Sequence, residues 1–345
     1  MCGQAFGIAG KKIAVWYRNV LSGFTNPEAQ KGLHLNDTVD QTLVDRKTGK
    51  TKIVYVPILN PENFGEDMAL DDKNIDGEGY TILSNKKTGK IAMMASTTKH
   101  HILEEILSKV PVAVRCKVKT LSRDLAESYD WLARSMFFWA QSVADKFHIV
   151  KMALEALQDI RVRYRQEILT TEREGKKDKT KKNHRTSSAP KRTSRYENGE
   201  TIKEVLAKSR YLLFSFSSAW RESQLARAKI LFREFPEIKT AYNCICRFRM
   251  WYQKKHASTD VAREELYGWY ATVLQTKIPE LLNLVSSLKR HEDIILNYFA
   301  THQTNAFAES LNSRISACIR MCFGIRDIDF FHFRIKKYFS DPLAL

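Results

Sequence analysis

The chain has 345 residues, enough for two or three domains or for one domain carrying a large insertion. Its 43% hydrophobic and 11% aromatic content excludes wholesale disorder, and no apolar run approaches the roughly 18 residues of a membrane span. Lys and Arg number 56 against 39 acids, a formal charge of +17 with a pI near 9.5. Such an excess favours polyanions, of which nucleic acid is the commonest in a cytoplasm.

The N-terminal stretch MCGQAFGIAGKKIAVWYRNV lacks the long apolar core of a secretory signal, so a soluble cytoplasmic protein with no membrane partner is expected. The cysteines are Cys2, Cys116, Cys244, Cys246, Cys318 and Cys322. None form a CxxC pair, so no zinc site is expected, and their usage fits reduced, buried thiols.

Residues 1–60 are weakly patterned, a basic N-terminal and linker region. A helix is expected around Lys11–Leu21, and VDRKTGKTKIVYVPIL reads as a turn followed by a short strand. From Glu66 the pattern sharpens. GEDMALDD reads as a first strand ending in Asp71 and Asp72, and GYTILSN, KKTGK and IAMMAS as strand, turn and strand. In TTKHHILEEILSKV, Ile102, Ile106 and Val110 recur every four residues, as in a helix. Val112, Val114, Cys116 and Val118 alternate with Ala113, Arg115, Lys117 and Lys119, the period of a strand with one buried face. Asp124 stands just past that run. AESYDWLARSM reads as a helix, and FFWAQSVADKFHIV as a last short strand ending near Asp145.

Beyond residue 150 the pattern is almost purely helical. Met152, Ala156, Ile160, Tyr164 and Ile168 recur at helical spacing, but Gly175–Arg195 has nine Lys/Arg, one acid and no apolar period. That segment is expected to be a flexible basic tether, with Lys176, Lys177, Lys181 and Lys182 as candidate phosphate contacts. Helices resume at Glu200. Trp220, Trp251 and Trp269 are expected to pack in the helical core rather than stack on bases. Arg247, Arg249, Lys254 and Lys255 form a basic helix end suited to DNA. An α/β core followed by an all-helical block is the expected class.

Near the C-terminus QTNAFAESLNSRI holds a single acid, Glu309. Thr304 or Asn305 can cap its helix. Ala308, Leu311, Ile315, Ile319 and Cys322 then form a packing stripe, while Asn305, Glu309, Asn312, Ser316 and Arg320 form a polar face. Asn305 and Asn312 could orient the Glu309 carboxylate or contact phosphate, and Arg314 and Arg320 could meet DNA phosphates. Carboxylates from strand ends, with one from a helix across the sheet, can surround hard divalent ions with oxygen. Acids at strand ends are also ordinary surface features, and spacing alone leaves both readings open.

GYTILSN, SRDLAESYDWL, ADKFHIVKMALEALQDIRVRYR, ILNYFATHQTNAFAESLNSRI and DFFHFRIKKYF, in this order, resemble the ISL-three family of bacterial insertion-sequence transposases, and most of all its Aon-type branch. The likeness covers roughly residues 60–340. It implies an α/β RNase H-like core, a mixed five-stranded sheet with helices interrupted by a large all-α insertion. The implied domains are 1–60, core 61–172, basic linker 173–199, helical insertion 200–300 and C-terminal core helices 301–345.

It further implies a DDE triad of Asp71, Asp124 and Glu309 holding two magnesium ions, with manganese able to substitute. Asp145 is the rival second ligand, because with His148 it begins an Asp-x-x-His pattern resembling one that supports the site in several transposase groups. Asp72 stands where the family usually has Glu. The implied partners are double-stranded DNA (transposon ends and target), a second copy of the chain or more, and a separate small polypeptide supplying the zinc-ribbon and helix-turn-helix region absent here. The alternatives are a catalytically inactive, truncated transposase-derived DNA-binding protein and a basic RNA-associated helical scaffold.

Overall fold

A computed structural model describes residues 12, 15–25, 42–44, 51–182, 195–301, 306–321, 325 and 327–340. The chain divides into two compact units. The first joins residues 1–145 to 303–345, and the second is residues 146–302.

The first unit is built on a mixed sheet. Strands β1 (Thr42–Val44) and β2 (Thr51–Ile53) form a separate antiparallel pair. Then come β3 (Ile58–Leu59), β4 (Asp67–Ile75), β5 (Glu78–Asn85), β6 (Ile91–Ala95), helix α1 (His100–Ser108), the short α2 (Val112–Arg115), β7 (Thr120–Arg123), α3 (Glu127–Met136) and β8 (Gln141–Ala144). The sheet order is β3-β6-β5-β4-β7-β8. β4, β5 and β6 pair antiparallel, whereas β7 lies parallel to β4 and β8 parallel to β7. Two residues at positive φ, Asp76 at 53° and Gly77 at 85°, close the β4–β5 hairpin.

The strand–helix order expected for residues 66–150 is present, with three differences. The sheet has six strands rather than five, because β3 adds to β6. The alternation at Val112–Lys119 is not a strand: Pro111 opens a helical turn, Val112 and Ala113 are exposed, and the strand is Thr120–Arg123. A period of two over eight residues was outweighed by proline, whose fixed φ suits a helix start. Asp71 also lies inside β4 rather than at its end, since pairing with β5 continues through Ile75.

Each sheet face is covered. Met68, Leu70, Leu83 and Leu121 pack with Ile102, Ile106, Tyr129 and Leu132 of α1 and α3. On the opposite face Ile75, Tyr80 and Ile82 pack with Leu311 and Ile315 of α12 (Ala306–Met321) and with Phe331, Ile335 and Phe339 of α13 (Ile328–Phe339). Of the packing stripe expected on the Glu309 helix, Leu311 and Ile315 are buried and Ile319 is partly buried against the same cluster; Ala308 and Cys322 lie outside the residues whose side chains are described. Arg18, in a π-helical turn at Tyr17–Leu21, pairs with Asp327, the N-cap of α13.

The second unit is helical: α4 (Lys146–Lys182), α5 (Ile202–Lys208), α6 (Arg210–Phe214), α7 (Glu222–Glu234), α8 (Pro236–Gln253), α9 (Thr259–Thr276), α10 (Pro279–Arg290) and α11 (Glu292–Thr301). By contact α4 belongs here from its first residue, whereas the sequence reading carried the core to residue 172. Helix α4 also runs through Lys182, so residues 175–182 are helical and not a flexible tether. Lysine is a good helix former, and a missing apolar period marks a solvated helix as readily as a coil. Residues 183–194 of the expected tether lie outside the described residues.

Trp251 and Trp269 are buried as expected, their indole N–H groups donating to the carbonyls of Ala262 and Cys244. Trp220 is partly exposed. Cys116 is exposed, contrary to the expectation of buried thiols, while Cys244 and Cys318 are buried. Among the described residues no helix is long and apolar enough to cross a membrane.

Candidate active site

Strand register brings acids together. Ala69 pairs with Ser122 across β4 and β7, the last pair of that ladder, two residues before Asp71 and Asp124. Arg123 pairs with Ala144 across β7 and β8, which sets Asp124 level with Asp145. Neighbouring strands lie about 4.8 Å apart, so β8, which leads into Asp145, is one strand further from β4 than β7 is.

Their surroundings differ. Asp145 is buried at 5% exposure, whereas Asp71 and Asp124 are partly exposed. Lys86 lies near Asp145, and its Nζ donates to Ser122 Oγ at 3.0 Å. Burial pushes the Lys86 ammonium below its ordinary pKa, opposed by the charges of Asp67 and Asp145. Asp145 therefore shares a buried environment with a cation. Asp124 Oδ1 accepts from the Ala126 N–H at 2.9 Å, an ordinary turn contact at the entry to α3.

Asp71 and Asp72 point to opposite faces, as successive strand residues must. Asp71 faces α12: Asn312 Nδ2 donates to its Oδ2 at 2.5 Å, and two residues along, Lys73 Nζ donates to Ser316 Oγ at 2.8 Å. Burial lowers the Lys73 pKa; Asp71 opposes that shift and Arg320 adds to it. Two rungs from α12, four residues apart, thus meet two from β4. Glu309 lies on α12, three residues before Asn312. Its side chain, like those of Lys176, Lys177, Lys181 and Lys182 on α4, lies outside the described residues, and so does Asn305.

Asp72 faces α3. Its Oδ1 accepts from Thr81 Oγ1 at 2.9 Å and from the buried Tyr129 hydroxyl, and its N–H donates to Asp71 Oδ1 at 2.8 Å. The next residue of α3, Asp130, accepts from Arg123 Nη2 at 2.6 Å. The Arg123 side chain is 1% exposed, and its Nη1 donates to the Asp124 carbonyl at 3.2 Å. Consecutive residues of α3 therefore brace Asp72, beside Asp71, and Arg123, beside Asp124. Burial pushes the Arg123 pKa down and Asp130 opposes it, as expected for a guanidinium held by one principal carboxylate. Sequence reading missed Tyr129, Arg123, Lys73 and Lys86. Arginine inside the strand SRD, with an acid seven residues on, was the only available sign.

The other candidates scatter. His148 lies on α4 in the second unit, its ring 5.6 Å from that of Phe147. Arg314 stacks over Phe339 at 5.1 Å, and Arg320 is exposed. Arg247 and Lys255 are exposed, and Lys254 pairs with Glu265. Arg249 is committed internally: it donates to the Phe214 carbonyl at 3.0 Å and lies over Phe216 at 4.0 Å.

Asp71 and Asp124 supply hard oxygen donors from adjacent strands, with no thiol or imidazole beside them in the register, a set suited to magnesium rather than zinc. Among the described residues no group of three or more His, Cys, Asp or Glu converges as a metal site. No curated protein and no solved structure matches the chain significantly. A family model described as "Transposase", that of the ISL-three group, matches residues 68–335, which takes in the sheet from β4, the second unit, α12 and most of α13. The chain belongs to the ISL-three family of transposases.

Proposed function

We propose that the first unit is an RNase H-like nuclease and strand-transferase core of the DDE type, in which Asp71, Asp124 and Glu309 are the metal ligands. The observation that supports this reading is the parallel β4–β7 ladder, whose last pair Ala69–Ser122 lies two residues before Asp71 and Asp124, together with the Asn312–Asp71 bond from the helix that bears Glu309. Helix α12 descends along β4 in matched steps, Asn312 at Asp71 and Ser316 at Lys73, so Glu309 one turn earlier belongs to the same end of the site. Asp145, buried beside Lys86, is assigned a supporting role rather than a ligand's.

Two bound magnesium ions would supply activation of the attacking oxygen and stabilisation of the departing one. The residues' part would be to hold three carboxylates in fixed relation; the α3 brace acts on Asp72 and Arg123, next to Asp71 and Asp124, and the Asn312 bond fixes Asp71 from the other face of the sheet. In the first reaction a water oxygen bonds to phosphorus at the transposon end and the phosphorus–3′-oxygen bond breaks, leaving a 3′ hydroxyl. That hydroxyl then bonds to a target phosphorus as a target 3′ oxygen leaves. One phosphodiester is exchanged for another, so no outside energy source is needed.

The second unit, residues 146–302, is read as an insertion domain that holds DNA. A separate small polypeptide would recognise the transposon ends, and two or more copies of the chain would assemble on them. The test is magnesium-dependent cleavage of the element's own ends, with and without the neighbouring small protein, by the wild type and by Glu309→Ala. Cleavage lost in Glu309→Ala supports the reading. A folded wild type that binds DNA and cuts none under either condition favours the inactive DNA-binding alternative.

A further inference from the structure

Helix α8 of the second unit presents an unusual face. Lys239, Asn243, Arg247, Met250 and Lys254 recur at intervals of four, four, three and four, and every one is exposed. They form one continuous stripe along the helix, about 22 Å from end to end at 1.5 Å per residue. A hollow adjoins each end. One, of about 350 Å³, is lined by Lys239 together with Lys229, Arg233, Trp220 and Phe232. The other, of about 520 Å³, is lined by Arg247, Met250 and Lys254 over the buried Trp251 and Trp269, with Glu265 also on its wall.

Its charge is the telling feature. Several cations of this unit are neutralised: Arg163 by Glu237 and Glu280, Arg227 and Lys208 by Glu200. At the stripe's margins Arg233 pairs with Glu197 and Glu234, and Lys254 with Glu265. Among the described residues, however, Lys229, Lys239 and Arg247 are in no ion pair. No acid stands three or four positions from Lys239 or Arg247 on α8, where a solvated helix usually carries one. An exposed row along one helix face, interspersed with an amide and with Lys229, Lys239 and Arg247 left without acidic partners, matches a row of phosphates. A 22 Å track spans about six base pairs of duplex.

We propose that this face, Lys229, Lys239, Asn243 and Arg247 with the flanking hollows, is a backbone interface for double-stranded DNA that reads no sequence. The proposal rests on the transposase reading for the identity of its polyanion. It extends a contact expected only at the C-terminal end of α8 along the whole helix and onto α7.

The experiment uses the full chain in EDTA, where metal-dependent cleavage is off, and a 30-base-pair duplex of random sequence. Binding is measured across a salt series for the wild type, for Lys229→Gln/Lys239→Gln/Arg247→Gln, and for the control Lys151→Gln/Lys277→Gln/Arg290→Gln, which removes the same charge elsewhere on the unit. Loss of three phosphate contacts lowers the slope of log affinity against log salt by about 2.7. The stripe variant is expected to show that drop and at least tenfold weaker binding, and the control a drop below one. Equal slopes in the two variants overturn the proposal, as does a loss seen with an RNA duplex and not with DNA. Cleavage in magnesium is scored separately. A wild type that does not cut while the stripe variant still loses its slope leaves the interface standing and removes the nuclease reading. A wild type that cuts, with slopes equal, does the reverse.

Discussion

Replacing Tyr129 by Phe tests the brace beneath the acids. The hydroxyl of Tyr129, a residue with 0% exposure, donates to Asp72, whose N–H holds Asp71. A hydrogen bond to a charged acceptor contributes about 1.5–3 kcal/mol. Asp72 keeps the Thr81 hydroxyl and is exposed to water, so the lower end applies, about 1.5 kcal/mol. Phe fills the same volume and leaves no cavity. Since about 1.4 kcal/mol is tenfold in an equilibrium, amide hydrogen exchange across β4 and α3 should quicken about tenfold, with α7–α9 unchanged. Combining Tyr129→Phe with Asp72→Asn should show a coupling of about 1 kcal/mol, because both remove one contact. In cleavage assays the magnesium concentration for half-maximal rate should rise several-fold while the rate at saturating metal holds. Unchanged exchange in β4 together with strictly additive effects would refute the brace.

His332 is 4% exposed, and burial lowers its pKa from 6.5 to about 4. The unfolded chain takes up the proton first as pH falls, so this contribution is intact above pH 6.5 and lost between 6.5 and 4, about 3 kcal/mol in all. Urea unfolding at stepped pH should show that slope, and His332→Gln should flatten it. Asn312→Ala should leave the fold intact but release Asp71, cutting the cleavage rate tenfold or more, whereas Asn312→Leu, which also crowds the carboxylate, should cut it further. Ile315→Ala, at a fully buried position between α12 and the sheet, should cost about 2–5 kcal/mol by thermal unfolding of the first unit. Asp130→Asn should destabilise that unit by up to about 3 kcal/mol, short of the full cost of a stranded buried charge, because Asp130 is 30% exposed and Arg123 keeps the Asp124 carbonyl.

Local patterns with an unmistakable period were legible: the hairpin strands around GYTILSN and IAMMAS, the helix of Ile102 and Ile106, and the packing stripe of Leu311 and Ile315. Alternation failed at Val112–Lys119 because only Arg115 and Val118 of those residues find a buried place and proline decides the backbone there. The last turns of α4 were illegible for the opposite reason, having no apolar residues to mark a period. Asp71 and Asp124 could be singled out as candidates from order along the chain. That Asp71 rather than Asp72 faces α12 depends on which side of β4 receives α12, which no local pattern states. Tyr129, Arg123 and Lys86 act across the sheet on neighbours of the acids, and such contacts have no signature in one sequence.

The choice of ligands is tested most directly by metal-dependent cleavage of the element's ends by Asp71→Asn, Asp124→Asn, Asp145→Asn and Glu309→Gln, each first shown to be folded and to bind the duplex in EDTA. The expected result is loss of strand cutting in the Asp71, Asp124 and Glu309 variants, with cutting retained in Asp145→Asn. An Asp124→Asn protein that cuts while Asp145→Asn does not would contradict the account.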